Sequence, residues 1–272
     1  MILWKKSYNT SHMRQNLYRI LVLLLSAAVY VACYVKEDRG LCPASLYIEF
    51  DRSYPMCPYL ADLTVLNKEN VICEDEVDLG MDMGEYCVEV SKGQIHVRVW
   101  TSTDNMDNKE GLAIPYGYDC PEVYMFDSDI GVYGETARTH VVMRKNHCVM
   151  TVVSADGEGF PYGIHVTGNV CGYMADGQPK QGEFYAPVIQ KASADAWEVV
   201  LPRQSDESLL LHVSDETGVL TTFALGQYLS SSGYDWNSPD LKDVSVTLDY
   251  ALTKVSVLID GWESVYTYDM EI

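Results

Sequence analysis

Along most of the chain, apolar and polar residues alternate one by one. Leu46, Ile48 and Phe50 alternate with Tyr47 and Glu49, and Tyr86, Val88 and Val90 alternate with Cys87 and Glu89. Ile95, Val97 and Val99 do the same with His96 and Arg98. The pattern returns in Leu209, Leu211 and Val213, in Val244, Val246, Leu248 and Tyr250, and in Val255, Val257 and Ile259. Successive side chains of a strand point to opposite faces, so each set predicts a strand with one buried face. Turn signals separate the runs: Lys92-Gly93, Asp156-Gly157, Asp176-Gly177, Glu216-Thr217-Gly218 and Asp260-Gly261. Many short strands, frequent turns and no long amphipathic helix predict an all-β chain built as β-sandwiches. The one helix-like element expected is a short turn at Leu241 and Asp243, after Pro239. A polar stretch, Gly134-Glu135-Thr136-Ala137-Arg138, predicts a boundary between residues 33–138 and 139–272, each near the length of a single sandwich.

The first part of the chain breaks this pattern. The apolar run from Ile20 to Ala32 falls well short of the roughly 20 residues a spanning helix needs and fits the core of an export signal. Lys5, Lys6, Arg14 and Arg19 precede it with no acidic residue among them, the bias expected of a signal's leading segment. Met13 followed by Arg14 offers an internal start that would give a signal of more ordinary length. The run closes in Tyr30-Val31-Ala32-Cys33, where small Ala32 suits a lipoprotein peptidase. Residues 1–32 therefore read as a lipoprotein signal peptide, and Cys33 as the lipidated first residue of the mature chain. Cleavage near Ala32 without lipidation is the alternative.

Charge narrows the function classes. The chain has 19 Lys and Arg against 39 Asp and Glu, a net charge of −20, and removing the signal makes it more acidic still. Such a surface repels nucleic acid and anionic headgroups, so no nucleic-acid partner is expected and a lipid tether is favoured over a polybasic one. Eight cysteines are present. Setting Cys33 aside leaves Cys42, Cys57, Cys73, Cys87, Cys120, Cys148 and Cys171, an odd number, so at least one stays free or pairs between chains. Some disulfides are expected in an exported chain. Alternation puts Cys87 and Cys148 on strands, where a buried, inert thiol is the expected state.

Catalytic motifs are absent: there is no GxSxG, HExxH or phosphate-binding glycine loop. No enzyme activity, cofactor or metal is expected, since no CxxC pair exists and the histidines lack ligand spacing. Asp127-Ser128-Asp129, and Asp78 with Asp82, do not fit the EF-hand spacing and read as solvated acidic turns. The 20 Tyr and 5 Trp could build a sugar platform or simply pack within the sheets.

Particular stretches carry a resemblance. The segment Cys33-Tyr34-Val35-Lys36-Glu37-Asp38-Arg39-Gly40-Leu41-Cys42-Pro43 resembles the start of the FimB-like fimbrial anchors, the membrane-linked subunits of type V pili in Gram-negative bacteria. Arg144-Lys145-Asn146-His147-Cys148, Gly168-Asn169-Val170-Cys171-Gly172-Tyr173 and Gly182-Glu183-Phe184 resemble later landmarks of that family. So do Leu201-Pro202-Arg203-Gln204, Leu225-Gly226-Gln227-Tyr228, Ser232-Gly233-Tyr234-Asp235-Trp236 and Ile259-Asp260-Gly261-Trp262-Glu263. The matches run in order from Cys33 to Trp262. The departures are Tyr30, where the family's cleavage box has Leu, and the high cysteine count.

The resemblance implies two transthyretin-like Greek-key β-sandwich domains. It implies a non-enzymatic surface lipoprotein of the outer membrane that anchors the base of a fimbria and ends or limits its growth, a role in cell adhesion. In it, acyl chains such as palmitate on Cys33 hold the membrane, Lys36, Glu37 and Asp38 act as the export signal to the outer leaflet, and pilin subunits attach by β-strand addition. The alternative is a surface glycan-binding lipoprotein of the same fold, with Trp236 and Trp262 as candidate sugar contacts.

Overall fold

The computed structural model describes residues 14–23, 40, 42–51, 60–79, 85–101, 106–107, 111–155, 161–190, 196–249, 254–261 and 264–269. They belong to two compact units, Met1–Cys42 and Pro43–Ile272. In the first, residues 14–23 form helix α1, whose Leu17, Ile20, Leu21 and Leu23 are all more than half exposed. Among the described residues no helix is long and apolar enough to cross a membrane.

The second unit is all β with one short helix among its described residues. It opens with β1 (Ala44–Phe50), β2 (Leu60–Asn67), β3 (Asn70–Asp78), β4 (Tyr86–Val90) and β5 (Gly93–Thr101). Two short strands, β6 (Met106–Asp107) and β7 (Gly111–Ala113), precede β8 (Tyr124–Val132) and β9 (Thr136–Val141). The chain continues through β10 (Arg144–Lys145), β11 (His147–Ser154), β12 (Gly163–Tyr173), β13 (Pro179–Pro187) and β14 (Ile189–Gln190). After β15 (Ala196–Pro202), β16 (Leu210–Asp215) and β17 (Gly218–Phe223) comes α2 (Leu225–Ser231). It is followed by β18 (Val244–Leu248), β19 (Lys254–Ile259) and β20 (Val265–Asp269).

The same winding is used twice. β1 lies between β4, antiparallel to it, and β9, parallel to it; β11 lies likewise between antiparallel β15 and parallel β18. The sheet facing the first trio runs β3-β2-β5-β8, and that facing the second runs β13-β12-β16-β17. Each pair of sheets encloses its own apolar core. The first holds Leu46, Ile48, Leu63, Val65, Ile95, Val97 and Val99; the second holds Met150, Val152, Val166, Leu211, Val213, Val246 and Val257. The expected alternation is visible in both, with even-numbered Leu46 and Ile48 buried and their odd-numbered neighbours at the surface side. Tyr250 lies outside the described residues, as does the expected turn at Asp156-Gly157.

Several sequence-based expectations change. The boundary after Arg138 falls inside β9, because Thr139 and Val141 turn inward while Arg138 turns out to pair with Glu49 and Glu85. The polar look of that stretch comes from a turn followed by the outer face of a strand. Moreover, the chain visits the second core early: Leu112, Ile114, Cys120 and Val123 pack there, and β7 pairs with β12, before β8 and β9 return to the first. No single cut therefore separates the two cores.

The chain at Leu241 and Asp243, where a helical turn was expected, is irregular, neither helix nor strand. The Leu241 N–H donates to the Lys145 carbonyl at 3.0 Å, and Asp243 accepts from the Val149 N–H at 2.7 Å, which ties this segment to β10 and β11. The helix forms instead at α2, whose Leu225 and Leu229 are buried one turn apart. Finally, Cys148 is buried as expected but Cys87 is exposed, since it sits opposite Tyr47 on the outward face of β4.

Gly226 explains how α2 docks. A Cβ at this position would lie 2.4 Å from the Glu207 carbonyl oxygen and 2.5 Å from its carbon, backbone atoms that cannot swing away. Alanine is the better helix former by up to about 1 kcal/mol, but overpacking against fixed backbone costs about 1–3 kcal/mol. Gly226→Ala is therefore expected to lower the unfolding free energy, seen as an earlier midpoint in urea, whereas an unchanged or later midpoint would mean that α2 does not press on Glu207.

Candidate functional site

The residues expected to carry lipid and export information, Cys33, Lys36, Glu37 and Asp38, lie outside the described residues, as does Trp262. Most of the other landmarks come together. Arg203, in the segment after β15, donates through Nε to Asn146 Oδ1 and through Nη1 to the carbonyls of Trp236 and Ser238, the latter at 2.9 Å. Its backbone N–H donates to the Tyr173 hydroxyl at 2.8 Å, and that hydroxyl donates to the Asn146 carbonyl. Four stretches far apart in sequence, around Asn146, Tyr173, Arg203 and Trp236, thus close on one guanidinium.

The electrostatics of this hub are those of a structural centre. Burial pulls the Arg203 pKa below its usual value, against the opposing effect of Tyr173 and Tyr234. Its hydrogen bonds go to amide and carbonyl dipoles, which stabilise a charge without a buried counter-ion. Burial pushes Tyr173 well above the phenol range, so it stays a donor, and pushes the Cys148 thiol up to about 12. Cys120 is raised in the same way, and thiols held protonated are poor nucleophiles. Beside the hub, Asp240 accepts from Arg144 Nη1 and from the Lys145 N–H, both at 2.9 Å, and Lys145 Nζ pairs with Asp243 at 2.5 Å. Arg144 and Arg203 border a cleft of about 570 Å³ that Met125, Asp127, Asn146 and Gln178 also line.

Trp236 does not stand on an open face. It packs against the second core with its ring edge-on to Tyr234, 4.6 Å between centroids. Sequence reasoning singled out tryptophans and missed a different aromatic group, on the outer face of the sheet β13-β12-β16-β17. Tyr116 stacks on Tyr185 at 4.8 Å, Tyr185 lies 5.0 Å from His165, and His165 stacks on His212 at 4.6 Å. His165 and His212 are directly opposed in the strand register. The two His212 nitrogens are held by the hydroxyls of Thr167 at 2.8 Å and Thr222 at 2.9 Å. Cross-strand register was the signal that could have found this ladder, and it is not written in any local stretch.

Open sheet edges differ in charge. β3 borders its sheet with Glu74, Asp75, Glu76 and Asp78, a guarded edge. β17 borders another with Gly218, Val219, Leu220, Thr221, Thr222 and Phe223, carrying no charge, and Val219 is 58% exposed. All six described cysteines are free thiols, so the disulfides expected from composition are not found among them; Cys57 lies outside the described residues. Among the described residues no three His, Cys, Asp or Glu side chains gather as a metal-holding group.

No protein-family model matches the chain, and no curated protein matches it in sequence. Solved structures share its fold. The fimbrial anchor protein Mfa2 from Porphyromonas gingivalis superposes with a TM-score of 0.60 at 16% identity, over 81% of this chain and 98% of that one. A candidate polysaccharide-binding protein from Bacteroides thetaiotaomicron gives a TM-score of 0.62 at 10% identity, over 85% of this chain and 98% of that one. An adhesin candidate from Bacteroides ovatus gives 0.57 at 11% identity, over 86% and 97%. The fold is an all-β sandwich.

One buried imidazole and two half-buried ones predict a pH dependence. Burial lowers the pKa of His147, whose ring hydrogen-bonds the Val123 carbonyl at 3.0 Å, and also of His165 and His212; His165 is lowered further by the charge His212 would carry. A histidine with a folded pKa below its unfolded value of about 6.5 is protonated first in the unfolded chain. Its contribution is therefore complete above about pH 6.5 and is lost as pH falls through the folded pKa. The urea midpoint is expected to fall from pH 7 to pH 5 and to fall less steeply in His165→Gln. Parallel slopes for the two proteins would mean that the stacked pair does not resist protonation.

Proposed function

We propose that this chain is a surface lipoprotein of the outer membrane that anchors the base of a fimbria and limits its growth. The observation that carries the reading is a body with the fold of the fimbrial anchor Mfa2, matched over 98% of that chain, behind a cysteine that closes an apolar run. Acylation of Cys33 would hold the membrane. Each buried CH₂ contributes about 0.8 kcal/mol and a single chain binds only marginally, so more than one acyl chain is required. Lys36, Glu37 and Asp38 would direct the lipidated chain to the outer leaflet.

The body would hold the fimbria by completing a β-sheet with an extended segment of a pilin subunit, main-chain hydrogen bonds giving strength and side-chain pockets giving choice. An uncharged edge such as β17 suits that contact better than acidic β3. The work is mechanical rather than catalytic, and the free, burial-raised thiols fit that role.

Deleting the protein in its host is expected to give shed or abnormally long fimbriae under electron microscopy; an unchanged, attached population would sink the anchor reading. Cys33→Ser is expected to move the protein from the membrane to the soluble fraction. If that variant stays with the membrane, the tether lies elsewhere.

A further inference from the structure

The Arg203 guanidinium spends only part of its donor capacity inside the protein. Nε is taken by Asn146 Oδ1, and Nη1 by the carbonyls of Trp236 and Ser238. Nη2 has no hydrogen-bond partner among the described residues, yet it is not sealed in the interior. Its N–H groups are therefore the open part of the hub, and Arg203 lines the cleft of about 570 Å³. Asp235 and Asp240 act on its charge from nearby, but neither is bonded to it. Arg203 thus carries a half-buried charge held by neutral dipoles alone, one that a bound anion would balance.

A second donor sits beside it. Asn146, 3% exposed, gives its Nδ2 to the Met125 thioether, a weak acceptor on a flexible side chain. The Asn146 amide and the Arg203 guanidinium are bonded to each other at 2.5 Å, and both line the cleft, so their spare donors belong to one spot. At the exposed rim, Arg144 bonds Asp240 at 2.9 Å through Nη1, and its other nitrogens have no partner among the described residues. The carboxylates of the lining are already answered or screened. Asp127 meets Arg98 at 2.9 Å and His96 at 3.0 Å, while Asp176 lies exposed in a turn, accepting the Gln178 N–H at 3.1 Å.

The size and the rest of the lining narrow the ligand. The volume of about 570 Å³ falls within the roughly 300–1,000 Å³ of small-ligand clefts. Gln178, Asn237 and Ser238 add amide and hydroxyl groups, and Phe126 and Pro239 add apolar surface. Sugar hydroxyls both donate and accept, which matches amides, and the C–H faces of a sugar ring match the apolar side chains. An inorganic anion would use the charge and nothing else.

We propose that this cleft binds an acidic sugar unit, with its carboxylate on Arg203 Nη2 and Asn146 Nδ2 and its ring hydroxyls toward Gln178 and Asn237. Met125 gives up the Asn146 donor when the carboxylate arrives, and Arg144 adds positive charge at the mouth. Binding of this kind is independent of whether the chain anchors a fimbria.

The test is calorimetric titration of the intact protein with trigalacturonate, a hyaluronan tetrasaccharide and sialyllactose, each beside its methyl ester, which keeps the rings and loses the charge. A saturable isotherm is expected for at least one acid, with its ester about 10- to 100-fold weaker, the cost of losing a hydrogen bond to a charged group. Arg203→Lys is expected to weaken binding as much, but it also removes bonds of the hub. Two variants outside those bonds therefore decide the outcome: Arg144→Gln, expected to weaken binding about tenfold, and Gln178→Trp, which places a large ring at an exposed position of the cleft and is expected to weaken it further. No isotherm with any of the acids, equal binding of an acid and its ester, or undiminished binding in both variants would overturn the proposal.

Discussion

A strand that hides only one of its faces must find a second sheet to hide it against. That constraint governs everything built from Pro43 onward. It explains the alternation along β1, β4 and β5, the pairing of sheets around each core, and the placement of charge on the outside. In each core one strand, β1 or β11, lies inside its sheet rather than at an edge. β1 and β11 are each flanked on both sides, antiparallel on one and parallel on the other, so the chain must leave, cross to the facing sheet and come back before the first sheet is complete. Most pairings are therefore long-range, and the cores form only when distant segments meet.

Apolar burial does not choose where the connecting loops lie, and in the second core that choice falls to Arg203. A guanidinium has five donors in a fixed plane, and leaving them unpaired in a partly buried site would be costly. Here those donors reach the side chain of Asn146 and two loop carbonyls around Trp236 and Ser238, while Tyr173 links the Arg203 backbone back to Asn146. Lysine could not replace it, because a single ammonium lacks the planar spread that reaches two loops at once. The hub thus sets loop geometry in a region where hydrophobic contact alone would allow several arrangements.

How much of this is readable in sequence depends on the range over which each interaction acts. Strand faces are local, and Leu46, Ile48, Val97, Leu211, Val246 and Val257 are all buried where alternation put them. Turns such as Glu216-Thr217-Gly218 are local as well, and that one joins β16 to β17. Helix α2 was hidden because seven residues span too few turns to show a period, and its glycine reads as a breaker until Glu207 is known to press on it. The passage of the chain between the cores was hidden for another reason: Leu112 and Ile114 look like any strand residues, and nothing nearby says which core they join. The landmark stretches could be recognised one by one, but their meeting at Arg203 is a property of the folded chain. The Tyr116, Tyr185, His165 and His212 ladder is equally a product of register.

Charge on the sheet edges links this architecture to a problem that any protein with open sheets faces. An open edge can add any extended chain, and a sandwich has open edges by construction. On β3 the acidic residues repel a second copy of this strongly acidic molecule and discourage unselective pairing. β17 lacks that protection and shows apolar side chains to solvent, although a break in its register at Leu220 makes it a less regular template for pairing. Guarding one edge while leaving another uncharged biases any added strand toward the unguarded one.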